Sequence, residues 1–370
     1  MSKKYGSNCL IQTRDEASGE VVCTGFAVPP LHLAASYRKT GSMQRLLSAG
    51  ADAEMRDRLG RTPLHLVTSG WPNLPDPRPK QGSKFWRALT GAERQAEACL
   101  RLLCEHGANV NAQVEGKSPQ TALHISVQHK ALSAVQILVS YGADVDAVDS
   151  SGMTPLHMAA GMLQRDIIAS LVRQGADINV AVQNSGNTPL HLAAVAIATK
   201  MSKTTDDDIG CVSDLLELGA KPDVANAAGM TPLHAACAMG SRQLADVLLR
   251  HGADVNKPSE AGETCLFLFL NHRPDLKSPS LLSRLLSLTS PLTISNRSGG
   301  LPSALTEPRF FRQRERLLKL LQQPGRLQDI CKREVYLKYV AGGEGELKKV
   351  LPDRLLDFVF RRWDVQHILF

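Results

Sequence analysis

Aromatic residues are scarce in this 370-residue chain, at 5% of the whole, which argues against the ring-rich core of a β-sandwich. Cysteine is present but in no pattern that carries chemistry. The eight, at 9, 23, 99, 104, 211, 237, 265 and 331, form no C-x-x-C pair and no Cys/His set at zinc spacing. Long apolar runs are missing too. A run such as Cys265-Leu266-Phe267-Leu268-Phe269-Leu270 falls far short of the roughly 18 residues that a membrane-spanning helix needs. The first twenty residues carry no apolar h-region, so a signal peptide is not expected. There is no G-x-S-x-G and no G-x-x-x-x-G-K-[S/T], and the glycines at 342, 343 and 345 follow no strand. The expectation is an intracellular chain with reduced thiols, cytoplasmic and with access to the nucleus. No catalytic residue, cofactor or metal ion is expected.

What is present is helix-forming and weakly basic. Apolar residues make up 43%, enough for a sizeable core of Leu, Ala and Val on helices. A net charge of +7 with a pI near 9.0 admits acidic partners but lacks the dense basic stripe of a nucleic-acid binder. Neither nucleic acid nor a membrane is expected as a partner.

One tetrapeptide recurs. Pro29-Pro30-Leu31-His32 is followed by Thr-Pro-Leu-His ending at His65, His157, His191 and His234, by Thr-Ala-Leu-His ending at His124, and by Thr264-Cys265-Leu266-Phe267. Successive copies are 33, 59, 33, 34, 43 and 33 residues apart. Behind each of the first six comes a leucine-rich stretch and then Gly-Ala-Asp/Asn or a close variant, as in Leu138-Val139-Ser140-Tyr141-Gly142-Ala143-Asp144. The residue types explain themselves. Thr154 can cap a helix through its hydroxyl, and Pro155 at the first helical position lacks only an N–H that would be unpaired anyway. Ala159 and Ala160 let a short inner helix pack tightly. Gly142 ends the outer helix at a left-handed position. A unit of this size cannot bury its own faces, so stability must come from stacking. The six histidines sit in different repeats and out of i, i+4 reach, so they are structural motif residues, able to share a hydrogen bond with the threonine where their copy has one, rather than a metal ladder.

Two spacings exceed the unit. The first insertion, near 69–95, contains four prolines, Trp71, Phe85, Trp86 and several Arg and Lys. Its composition predicts a surface loop between the helices of the second repeat. Its aromatics either fold back on that repeat or serve as a partner-contact loop, since Trp and Arg are common anchors. The second insertion, near 200–210, is polar and acidic and predicts a flexible lengthening. Residues 301–322 keep a Leu-Pro start and a leucine-rich second half, with Arg309, Arg312, Arg314, Arg316 and Lys319 forming a basic face.

Pro324-Gly325 then breaks the chain before a new amphipathic stretch, in which Leu327, Ile330, Cys331 and Val335 fall on one face at i, i+3, i+4 and i+8. A second stretch carries Leu351, Pro352, Leu355, Leu356, Phe358 and Val359.

The repeat resembles the ankyrin repeat over about residues 28–267, and less closely to 322. The tail resembles a SOCS box: Leu327, Cys331 and Val335 match its pattern L-x-x-x-C-x-x-x-aliphatic. Together they are similar to the ankyrin-repeat-and-SOCS-box family. The resemblance implies an all-α solenoid of seven to eight repeats at 28–322 after an N-terminal extension at 1–27. A small helical box at 323–370 follows. It further implies a non-enzymatic adaptor, with an unidentified target protein on the concave face of the stack. Leu327, Ile330, Cys331 and Val335 would dock elongin B/C, and Leu351 and Pro352 would contact cullin-5. Two positions depart from the family pattern. Arg326 stands where Pro, Ser or Thr is usual, and only Pro352 survives of L-P-x-P. An interaction scaffold whose C-terminal helices only cap the stack is the other reading, because apolar helix faces must be buried somewhere.

Overall fold

A computed structural model describes residues 13–14, 21–22, 29–72, 83–116, 119–200, 204–272, 279–289 and 295–302. The whole of 303–370 lies outside the described residues. That includes the basic face at 309–319, the elongin-docking residues Leu327, Ile330, Cys331 and Val335, and the cullin-contacting Leu351 and Pro352. Within the N-terminal extension, β1 (Thr13–Arg14) pairs antiparallel with β2 (Val21–Val22).

Everything else that is regular is helical, in seven pairs among the described residues. They are α1 (Pro30–Ser36) with α2 (Thr40–Ser48), α3 (Pro63–Ser69) with α4 (Lys84–Glu105), and α5 (Ala122–Gln128) with α6 (Leu132–Ser140). Then come α7 (Pro155–Gly161) with α8 (Arg165–Arg173) and α9 (Pro189–Thr199) with α10 (Asp206–Glu217). The last are α11 (Pro232–Ala238) with α12 (Arg242–Arg250) and α13 (Cys265–His272) with α14 (Pro279–Leu288). A further turn at 295–302 follows α14, and in it Asn296 Oδ1 accepts the Gly300 N–H at 2.7 Å.

By compactness the chain forms two units, Met1–Ala159 with Asp166–Asp177, and Ala160–Arg165 with Ile178–Phe370. In the first, the inner helix α3 packs between α1 and α5, and the outer helix α4 between α2 and α6. Ala34, Ala35, Leu64, Val67, Leu123 and Val127 are buried on the inner helices, and Met43, Leu100, Leu103, Val135 and Leu138 on the outer ones. In the second, α11 packs on α9 and α13, α10 on α9 and α12, and α14 on α13. Small alanines at the helix contacts explain how seven-residue helices stack closely, and each fully buried Leu contributes on the order of 1.5–3 kcal/mol.

Between repeats the chain makes a tight turn held by an acidic or amide side chain. Asp57 Oδ1 accepts the N–H groups of Leu59 and Arg61, both at 2.9 Å, and Asn226 Oδ1 those of Ala228 and Met230, both at 3.0 Å. Neighbouring turns are stitched together. Glu115 donates to Gly60 O at 3.1 Å in the first unit, and Glu260 to Ala228 O at 3.1 Å in the second. Gly229, at φ 72°, lies so close to the next turn that a Cβ would come within 2.4 Å of the Glu260 nitrogen. Gly142 takes φ 85°, as its place after the outer helix predicts, but has open space around it.

Two loop expectations need correction. The prolines of the first insertion all fall at 72–79, and helix resumes immediately after Ser83, whose hydroxyl accepts the Trp86 N–H at 3.1 Å. Residues 84–95 are therefore the first turns of α4, which reaches 22 residues where α2 and α6 have nine each. Ser83 is an efficient N-cap, and the following residues include Ala, Leu, Glu, Arg and Gln, all good helix formers. In the second insertion, Thr205 and Asp208 form a reciprocal capping box, so α10 starts at Asp206 rather than after 210.

The glycine geometry sets an order of costs. Gly142→Ala bears only the left-handed backbone penalty, about 1 kcal/mol. Gly229→Ala bears that penalty and must also push two turns apart, so it should be the more destabilising by at least as much again. Urea unfolding of both variants tests this, and equal midpoints would count against the close approach of the turns.

Candidate functional site

The repeated Thr-Pro-Leu-His is a hydrogen-bond device. In the second repeat the Thr62 N–H donates to His65 Nδ1 at 3.1 Å, and the Thr62 hydroxyl lies 2.8 Å from the same atom. Thr121/His124, Thr154/His157, Thr188/His191 and Thr231/His234 repeat it, with hydroxyl-to-Nδ1 distances of 2.9, 3.0, 2.8 and 2.8 Å. Because Nδ1 accepts, the ring proton sits on Nε2. That N–H points at a carbonyl in the following repeat. His65 reaches Gln120 O at 3.2 Å, His124 reaches Met153 O at 3.1 Å, His191 reaches Met230 O at 2.9 Å and His234 reaches Glu263 O at 3.2 Å. His32 reaches Arg61 O at 3.0 Å, but Pro29 stands in the threonine position and its Nδ1 has no donor.

All six histidines are buried, as motif residues should be. Burial holds His65 down to about 4, and it lowers His32, His124, His191 and His234 as well. Among the described residues no group of His, Cys, Asp or Glu is placed to hold a metal ion. Cys99 and Cys104 are both core residues, with thiols pushed up to about 11 by burial, and Cys211 to about 12 for the same reason. Thiols so placed are inert.

The aromatic loop splits in two. Trp71 is 5% exposed and belongs to the core beside α3, so it is not held out to a partner. Trp86 sits half-buried in the first turn of α4, and Phe85 lies beside it in the sequence on the same turn. The structure does not bring Trp71 and Trp86 together as one exposed cluster.

What the repeats do present is scattered apolar surface. In the first unit Leu33 is exposed on α1 and Tyr37 just past its end, and Leu59 and Val148 on turn tips. In the second, Met162, Val195 and Met239 are exposed near the ends of inner helices. Tyr37, Met162 and Met239 each follow the motif histidine by five residues, a signal available in the sequence but hidden by the stronger apolar motif around it.

In the second unit Arg165 forms a two-pronged pair with Asp214 at 2.7 and 2.9 Å and reaches Asp207 at 3.3 Å. It lies across Gly210, where any Cβ would come within 2.8 Å of the guanidinium. Asp214 raises the Arg165 pKa further above its usual value. Among the described residues no helix is long and apolar enough to cross a membrane.

Two models of the repeat match the sequence. "Ankyrin repeats (3 copies)" matches residues 80–149 and 142–204, and "Ankyrin repeat" matches 29–58, 185–227 and 228–260, together more than half of the chain. Nuclear factor NF-kappa-B p105 subunit of Gallus gallus is 35% identical over 164 residues, covering 41% of this chain and 17% of the relative. Ankyrin repeat and SOCS box protein 16 of Mus musculus is 31% identical over 192 residues, covering 51% of this chain and 41% of the relative. The chain thus matches less than half the length of either. The ankyrin repeat domain of Bcl-3 superposes with a TM-score of 0.55 at 24% identity, covering 71% of this chain and 99% of that domain. That likeness shows the fold: an all-α ankyrin solenoid.

Two outcomes follow from the imidazole ladder. Each lowered histidine contributes stability that is present above its unfolded value of 6.5 and is lost as pH falls through its folded value. In that window the unfolded chain binds more protons, so stability must rise with pH between about 4 and 6.5. Denaturant midpoints measured across it should fall steeply on acidification, and a flat profile would refute the buried neutral rings. Pro29→Thr supplies the missing donor to His32 and should stabilise the array by about 1 kcal/mol. A lowered unfolding midpoint for that variant would show that the orphan Nδ1 is already satisfied.

Proposed function

The chain belongs to the ankyrin-repeat family, and from that premise we propose that it is a non-enzymatic adaptor linking a bound protein to an elongin B/C–cullin ubiquitin ligase. Ankyrin repeats are protein-interaction modules, so a protein partner is the expectation the fold itself supports. A target would lie on turn tips and inner helices, such as those that leave Leu33, Tyr37 and Leu59 open in one unit, or Met162, Val195 and Met239 in the other. Apolar side chains at such positions lose water on binding and contribute most where they are enclosed.

The ligase half rests on one observation: Leu327, Cys331 and Val335 fall at the spacing of an elongin-binding helix, directly after the array. Likeness to Ankyrin repeat and SOCS box protein 16 over half the chain supports the same assignment. Leu327 and Cys331 would enter an apolar pocket on elongin C, with Ile330 and Val335 completing the face. Leu351 and Pro352 would be what remains for cullin-5. The departures at Arg326 and in L-P-x-P favour a second reading, a scaffold whose C-terminal helices cap the stack and recruit no ligase.

Co-purification of the full chain with elongins B and C separates the two. The adaptor reading expects a stoichiometric complex that Leu327→Ala/Cys331→Ala abolishes while thermal unfolding of the repeats stays unchanged. No complex with the wild-type chain would leave the scaffold.

A further inference from the structure

The outward face of α4 carries cations that nothing in the first unit uses. Arg87, Arg94 and Arg101 recur every seven residues, all exposed, with Lys84 one turn before them. A helix turns 100° per residue, so the three arginines form an almost straight row about 10 Å apart, on the side opposite the buried Ala96, Leu100 and Leu103. Among the described residues none of the three has an ion pair or a hydrogen bond through its guanidinium. Of the three acids of the same helix, Glu93 accepts from the Ser133 hydroxyl at 3.2 Å on α6, and Glu105, on the row's own face, from the Tyr141 hydroxyl at 3.4 Å. Glu97, half-buried, stands beside the row four residues before Arg101 and forms no ion pair with it among the described residues.

The surface beside the row is open. Ala88 and Ala98 are exposed, and a Cβ at Gly91 would meet nothing within 4 Å. Next to Arg101 lies a groove of about 450 Å³ between α2 and α4, lined by Thr40, Gly41, Gln44 and Ala98. Because α4 is 22 residues long between helices of nine, its first turns run past both neighbours.

We propose that this face is a docking ridge for an acidic α-helix of a partner protein, with carboxylates at i, i+7 and i+14. Only a helix repeats one side-chain direction at the 10 Å period of the arginines. An extended peptide reaches that distance in three residues and then points the other way. A duplex phosphate backbone curves away from a straight row, and exposed Glu105 on the same face opposes a continuous polyanion at that end. Small residues between the cations let the partner backbone come close, as ridges-into-grooves packing requires. The ridge is separate from the C-terminal segment and holds whichever reading of that segment stands.

The test uses the full chain and two fluorescent helical peptides of identical composition. One carries Glu at three heptad positions, and the other has the same three residues distributed around the helix. The ridge expects at least tenfold tighter binding of the heptad peptide, weakening with salt. Arg87→Glu/Arg94→Glu/Arg101→Glu should lose that binding tenfold or more and bind a peptide with Lys at the heptad positions instead, with unfolding curves unchanged. Should the triple variant fold poorly, Arg94→Glu alone must still weaken the heptad peptide. Equal affinity for the two isomers, an unaltered variant, or tighter binding to duplex DNA or phosphatidylserine vesicles at the same salt would overturn it.

Discussion

A buried imidazole with a fixed tautomer is the interaction on which the array depends. Each repeat is two short helices and a turn, too small to close a core of its own, so everything rests on how one unit is joined to the next. The histidine makes that joint polar and directional. Its Nδ1 is committed to the threonine that starts its own helix, which leaves Nε2–H for a carbonyl at the entrance of the next repeat, as between His124 and Met153 O. A ring buried with both nitrogens paired costs little, whereas a slipped register would strand two polar atoms in an apolar core. The alanines behind it supply area, and the imidazole supplies register.

The same logic explains where the pattern changes. Pro29 removes both donors from the first copy, and His32 keeps only its outward bond. At the other end Phe267 replaces the histidine, and α13 is buried all along Cys265–Leu270. A helix that is apolar on every side needs cover on every side. The turn stitching outlasts the ladder: Arg297 still donates to Ala261 O at 2.9 Å, so the backbone joint continues into the turn at 295–302 after the imidazole joint has stopped.

Much of this was legible in the sequence because the deciding residues are rigid in their roles. Thr-Pro-Leu-His located the start of inner helices, Gly-Ala-Asp located the end of outer ones, and Gly142 took the left-handed backbone that its position demands. The insertions were harder for a physical reason. Proline forbids helix only where it stands, and the four prolines at 72–79 say nothing about residues 84–95, where Ser83 restarts a helix. Trp71 shows the complementary limit. Tryptophan is at home both in cores and at interfaces, and composition alone does not tell which. Its nearness to α3 decided for the core.

Lengthening a repeat inside its outer helix has a consequence that lengthening a turn lacks. Turns meet the next repeat's turns, so extra residues there disturb the stitching at Gly60 and Glu115. The outer helix of the second repeat has solvent on its far side, and turns added at its N-terminus cost only their own helix propensity. Those turns are free to carry side chains that serve no neighbour. Arg87 and Arg94 fall in or beside the added segment, and Arg101 continues their row over the ordinary part of the helix. The array therefore keeps its inner joints invariant and admits novelty on its outer face, which is where a stack held together from within can change without loss of register.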